Sequence, residues 1–257
     1  VDIKIVVARE NDNTFNTFFV PSAKRFSIPT FQIGDKPDPN GNIIKKPIIE
    51  KYDMMVRMMN ENDQINDNSI IVFIHEDVNV LDNHFIDKIN TVFSEKPEIG
   101  VLGVKGVKQI SKEGWWFDEK NKPVGHIIEG IDGKNITEGK HTVYGTVGYI
   151  DDVTAVEGCL LAVRSSIFKS DVAFDTKTYK YDRDMYAMDL CVQALLKGYK
   201  VCVADILIYH HSNRVRSMSD DWKNSKTLFN EKYKDLEFPI KPSNICIKSD
   251  EIMEVEI

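Results

Sequence analysis

The order of apolar and polar positions along the chain predicts short buried strands alternating with amphipathic helices. Ile3 to Ala8 (IKIVVA) is a short apolar run of strand length, and the polar stretch Arg9-Glu10-Asn11-Asp12-Asn13 follows it. Residues 34 to 47 are rich in Gly, Pro, Asn and Asp and read as a surface loop. Ile48, Tyr52, Met55, Val56 and Met59 then recur at helical spacing, the mark of an amphipathic helix. Ile70 to Ile74 (IIVFI) is a second buried strand that runs straight into His75-Glu76-Asp77. Asp82 or Asn83 can cap a helix whose apolar face is Phe85, Ile86, Ile89, Val92 and Phe93 and which Pro97 closes. Ile99 to Val104 gives a third strand. Strand, helix, strand, helix, strand in this order predicts a parallel sheet covered by helices.

After residue 110 the pattern loosens. Residues 111 to 150 mix Gly, polar and charged positions around Trp115-Trp116-Phe117 and read as an irregular or hairpin excursion. Val153 to Val163 is apolar again but broken by Glu157-Gly158. Residues 186 to 197 form a helix ending at Gly198, a suitable C-terminal cap. Lys200 to Ala204 and Ile206 to Tyr209 are a strand or strand pair that ends in His210-His211. From Asp235 onward the chain holds Pro239 and Pro242 and no strong period. The expected organisation is one domain over 1–234, with 235–257 as a C-terminal tail or the start of a further segment.

Composition narrows the classes. The chain has 257 residues, 42% apolar and 28% charged, enough for one large α/β domain with a substantial core. Its formal charge of −7 argues against a sequence-independent nucleic-acid binder, which needs a basic surface. No apolar run approaches the roughly 20 residues of a membrane span, and no signal pattern is visible. The cysteines at 159, 191, 202 and 246 form no C-x-x-C pair and read as buried free thiols. That fits a cytoplasmic protein, and peripheral attachment to the inner face of the membrane is compatible with it.

Ligands of open α/β sheets bind beyond the carboxyl ends of the strands. Three polar clusters follow buried runs and should lie there: Arg9 to Asn13, His75-Glu76-Asp77 and His210-His211. Buried carboxylates are costly unless paired or metal-bound. A carboxylate and an imidazole from separate strand ends suit Mn²⁺ or Mg²⁺. On the residues alone, His75-Glu76-Asp77 reads equally as a polar turn leading a helix, and His210-His211 as locally satisfied histidines. Gly158 permits close backbone approach by a ligand or marks a bulge. Trp115 and Trp116 offer a face for a sugar or belong to the core. Asp182, Asp184 and Asp189 cluster at the start of the helix 186–197, where its dipole favours acids; Asp189, one turn in, can still reach a site at that end.

The order of these pieces resembles bacterial glycosyltransferase-like proteins related to family 2 glycosyltransferases. Phe73-Ile74-His75-Glu76-Asp77-Val78 is similar to that family's F-L-H-Q-D-V motif, and Gly100 to Gly106 to its glycine-rich strand. Trp115-Trp116, Val156 to Arg164, Phe174-Asp175, Tyr186 to Gln193 and His210-His211-Ser212 follow in the family's order, and Tyr52-Asp53 looks like an upstream Y-N pair. The resemblance spans roughly residues 48 to 233.

It implies a GT-A fold, a mixed and mostly parallel sheet flanked by helices. It also implies a nucleotide-diphosphate sugar donor, a carbohydrate, lipid-linked or protein acceptor, and a Mn²⁺ or Mg²⁺ cofactor. By position, Asp77 and one of His210 and His211 would bind the metal. Arg9, Glu10, Tyr52, His75, Glu76 and Gly158 would line the donor. Trp115 and Trp116 would face acceptor or sugar. Ala187 stands where the family's usual base is expected, which leaves Asp189, Asp184 or Glu157 to take the acceptor proton, or a donor-binding module without turnover. A nucleotidyltransferase ranks lowest, because the loop after the first strand has no Gly to cradle a triphosphate.

Overall fold

The computed structural model describes residues 1–26, 28–37, 39–113, 117–130, 139–179, 185–211 and 220–245. Its main elements are β1 (Asp2–Arg9), β2 (Thr30–Gly34), α1 (Ile48–Glu61), β3 (Ser69–His75), β4 (Val78–Val80), α2 (Phe85–Glu95), β5 (Ile99–Gly103) and β6 (Lys105–Val107). There follow β7 (Pro123–Gly130), β8 (Gly139–Tyr144), β9 (Ile150–Val153), β10 (Ala155–Val156), β11 (Leu160–Arg164), α3 (Met185–Leu196), β12 (Lys200–Val203), β13 (Ile208–His210) and α4 (Asp220–Lys232).

The central sheet has the order β9-β12-β5-β11-β3-β1-β2. β2, β1 and β3 pair in parallel, as do β5 and β12, while β11 runs antiparallel between β3 and β5. β9 also runs antiparallel to β12, so the sheet is mixed, with five of its seven strands pointing the same way. Both faces are covered, and the period of two in the strands sorts their side chains. Val6, Ala8, Ile71 and Phe73 join one apolar cluster with α1 and α3. Ile5, Val7, Ile70, Val72 and Ile74 join the other, against Phe85, Ile89 and Phe93 of α2 and Phe15 and Phe19 of a π-helical turn, Phe15–Phe19.

The apolar run at 99–104 divides. β5 ends at Gly103, and the chain passes into a second sheet of order β10-β6-β7-β13-β4, with β8 paired to β7. The excursion expected at 111–150 is thus in part a hairpin, β7 with β8. Gly198, at φ +83°, ends α3 as its cap position predicts.

The segment after 234 packs on the body. Ile110 and Ile240 exchange two backbone hydrogen bonds of 2.9 Å, and Ile240 is fully buried. The expected boundary at 234/235 is no break in packing up to residue 245, because isolated apolar residues rather than a periodic face dock this stretch. No described helix is long and apolar enough to cross a membrane. Cys159, Cys191 and Cys202 are buried and free, and Cys246 lies outside the described residues.

Candidate active site

Strand register brings the three polar clusters to one place. Ala8 pairs with His75, so the loop after β1 lies beside the end of β3. Leu160 pairs with Ile74, and the His75 amide donates to Cys159 O at 3.1 Å, which sets Gly158-Cys159 against the same strand end. His210 pairs with Val78, and the His211 amide donates to Asp77 O at 2.8 Å. The convergence is a property of backbone pairing, so it does not depend on any one side chain.

His75, Asp77 and His210 form the centre. Asp77 Oδ1 lies 3.4 Å from His210 Nε2 and 4.0 Å from His75 Nδ1. Tyr186 fixes the His75 ring. Its hydroxyl donates to Gly158 O at 3.1 Å, so at 2.8 Å it accepts from His75 Nε2–H. This leaves His75 Nδ1 facing Asp77 Oδ1 at 4.0 Å. Burial opposes ionisation of Asp77, but His210 and then His75 outweigh it and hold the carboxyl below its ordinary range. Asp77 Oδ1 and His210 Nδ1 are buried with no well-aligned hydrogen-bond partner among the described residues. Two imidazoles and a carboxylate, with Asp77 Oδ1 and His210 Nδ1 unsatisfied, fit a divalent cation, and one ligand atom from each of the three lies within 4.8 Å of the others. The structure brings the ring of His210 to the Asp77 carboxylate, whereas His211 meets Asp77 through its backbone amide. The His211 ring stacks on Phe18 at 4.1 Å.

A buried ion-pair system adjoins this centre, and sequence reasoning missed most of it. Lys105 is fully buried, 2.5 Å from Glu157 and 3.2 Å from Glu129. Its ammonium also lies over the rings of Phe117 and Tyr144. Burial would raise the Glu157 carboxyl, but Lys105 and then His210 hold it low. A lone lysine inside GVLGVKGV was the signal available in the sequence. Glu157, Cys159 and His210 form a second convergent set.

Several expected donor residues turn out to brace the site. The Glu76 carboxylate accepts the amides of Glu10 at 2.7 Å and Asn11 at 3.0 Å, tying the loop after β1 to β3. Tyr52 is fully buried and donates to Ile74 O at 3.3 Å. Arg9 pairs with Asp12 at 2.8 Å and covers the Phe15 ring, and Glu10 lies 3.7 Å from the buried Lys51, which also holds Asp35 at 3.0 Å. Trp115, Trp116, Asp182 and Asp184 lie outside the described residues.

Two corrections concern glycine and acid. The space beside Gly158 belongs to Tyr186 rather than to an approaching ligand: a Cβ there would stand 2.2 Å from the tyrosine oxygen. Gly158→Ala should therefore push Tyr186 off His75 and cost about 1–3 kcal/mol as overpacking does; thermal melts check it. Asp189, one of the carboxylates expected to take the acceptor proton, is fully buried and engaged by Lys232 at 2.8 Å, Tyr233 at 2.7 Å, Gln193 at 2.5 Å and Tyr179 at 3.3 Å. Its lone pairs are taken by a clamp between α3 and the segment at α4, so they are not open to a substrate proton.

Lys232 also binds Asp175 at 2.9 Å. Burial resists ionisation there, but Lys232 and the Thr178 amide win and bring the Asp175 carboxyl down to about 2. The folded value lies below the unfolded one, so this contribution to stability is full above about pH 4 and is lost as pH falls toward about 2. Melting temperature against pH should show that loss in the wild type, and Asp175→Asn should lack this part of it.

Comparison with known proteins identifies the family and the fold. The profile of a glycosyltransferase-like family matches residues 33–233. The chain belongs to this family. No curated protein sequence matches the chain. Among solved structures, the mannosyltransferase PcManGT from Pyrobaculum calidifontis, in complex with GDP-Man and Mn²⁺, is similar over 95% of this chain and 67% of its own, at TM-score 0.57 and 8% identity. TarS 1-349 from S. aureus is similar over 91% of this chain and 72% of its own, at TM-score 0.48 and 10% identity. A197 from STIV is similar over 82% of this chain and 86% of its own, at TM-score 0.46 and 9% identity. The family's fold is the GT-A glycosyltransferase fold, as the resemblance in the sequence implied.

Proposed function

We propose that the protein transfers a sugar from a nucleoside-diphosphate donor to an acceptor hydroxyl, with Asp77, His210 and His75 holding Mn²⁺ or Mg²⁺. The observation that carries this reading is the convergence of these three side chains, with Asp77 Oδ1 and His210 Nδ1 left without aligned partners. When bound, the cation would neutralise charge on the leaving diphosphate. The chain's own residues do the positioning. Tyr186 holds the His75 ring, Glu76 fixes the loop after β1 against the site, and Lys105 holds Glu157 at its edge. Glu157 is the carboxylate we assign to the acceptor proton. Its low pKa keeps it ionised at neutral pH, so it is available as a base though a weak one. Free buried thiols favour a reducing, cytoplasmic setting.

The test is turnover with UDP-, GDP- and CDP-sugars, with Mn²⁺ or Mg²⁺ and with chelator. GDP-mannose is one arm because a protein of the same fold binds it. Metal-dependent release of a nucleoside diphosphate is expected; absence of binding to any of the donors would overturn the reading.

One observation favours a second reading, a donor-binding module without turnover. Ala187 stands at the position where the resemblance expects the base, and it is fully buried in the apolar cluster. That reading predicts nucleoside-diphosphate binding with no transfer, and a gain of transfer in Ala187→Asp.

A further inference from the structure

A second pair of histidines lies away from the candidate active site, on the hairpin of β7 and β8. His126 stands opposite Val143 and His141 opposite Ile128, so the two are diagonal neighbours on one face of the hairpin. His126 Nδ1 and His141 Nε2 face each other at 3.1 Å. On its other side, His126 Nε2 lies 2.8 Å from Asp205 Oδ1. Asp205 is itself anchored, because its backbone oxygen accepts from Lys88 Nζ at 2.5 Å. His126 is buried and His141 exposed.

We propose that His126 Nδ1 and His141 Nε2 bind a divalent transition cation of the zinc class. Two ligand nitrogens about 2.0–2.1 Å from a tetrahedral zinc stand about 3.3 Å apart, close to the gap present here. The carboxylate on the far nitrogen is the second requirement. Histidines that ligate metals donate their other N–H to a carboxylate, which fixes the tautomer and directs the lone pair at the ion. Asp205 Oδ1 stands 2.8 Å from His126 Nε2, near enough to take this role once the N–H aligns with it. His141 answers by moving its proton from Nε2 to Nδ1, so binding releases no net proton. An imidazole pair without a carboxylate ligand favours Zn²⁺, Cu²⁺ or Ni²⁺ over Mg²⁺; the centre at Asp77 also carries two imidazoles, so the ring signals of His126 and His141 tell the two sites apart. The exposed His141 gives the ion an entry path from solvent, and water completes the shell. Such an ion would pin β8 to β7 and to the turn after β12.

The test is zinc titration of the full chain by calorimetry, with nitrogen-15 spectra of the histidine rings. Zn²⁺ is expected to shift His126 Nδ1 and His141 Nε2, and His141→Ala to bind one equivalent fewer than the wild type. Asp205→Asn, at a half-exposed position, should weaken the same equivalent by about 10–100-fold. Unchanged ring signals, or the same zinc stoichiometry and affinity in His141→Ala as in the wild type, would show a plain hydrogen-bonded pair and overturn the proposal. Neither outcome depends on sugar transfer.

Discussion

Asp77→Asn is expected to lower metal-dependent transfer by at least two orders of magnitude, about 3 kcal/mol or more of transition-state stabilisation. The reason lies in the geometry. Asp77 Oδ1 faces both His75 and His210, at 4.0 and 3.4 Å. An amide of the same shape keeps the backbone acceptor used by His211 and loses the anionic ligand. Some stability should be lost as well, because His210 and His75 hold the Asp77 carboxyl below its ordinary range and that pairing goes with the charge. The measurement is kcat/KM with each active donor at saturating Mn²⁺, alongside circular dichroism. A folded Asp77→Asn with wild-type turnover removes Asp77 from metal binding.

The second large effect is on folding. Asp189→Ala leaves the hydroxyls of Tyr179 and Tyr233, the Gln193 amide and the Lys232 ammonium without their common acceptor. Breaking a buried charged network of this kind costs about 3–5 kcal/mol, which lowers the melting temperature by roughly 10 °C for a chain of this size. Turnover per folded molecule at low temperature should stay within a few-fold of the wild type. A stable Asp189→Ala protein with abolished transfer would instead return Asp189 to a role in proton transfer.

These two aspartates show what the sequence carried and what it did not. The position of Asp77 at the end of a buried strand was legible, because a run of the type IIVFI must be buried and the carboxylate follows it directly. The parallel arrangement of β1, β3 and β5 was legible from the alternation of strands and helices. The antiparallel β11 between them was not readable from periodicity, since a buried apolar strand looks the same in either direction. Asp189 carried a helix-start signal that fits a catalytic acid and a structural clamp equally. Its true partners, Lys232 and Tyr233, lie more than 40 residues away in sequence, and only packing reveals them. Gly158 was noticed as a close-approach site, but the approaching group is the chain's own Tyr186. Lys105 went unread because a single lysine in a strand ordinarily faces solvent, and its two carboxylates come from β7 and from the turn after β10. His210 and His211 were equivalent by sequence; the strand pairing of β13 with β4 sets the first toward Asp77 and the second against Phe18.

The central claim is that His75, Asp77 and His210 together hold a cation for a nucleoside diphosphate. A crystal of the wild-type chain grown with Mn²⁺ and either UDP or GDP, measured at the manganese edge, tests it most directly. The account predicts an anomalous peak within about 2.0–2.3 Å of the Asp77 carboxylate and a His210 nitrogen, close to ordinary metal–ligand distances, with the diphosphate on its open side. Nucleotide bound with no manganese at Asp77, or manganese held elsewhere, would contradict it.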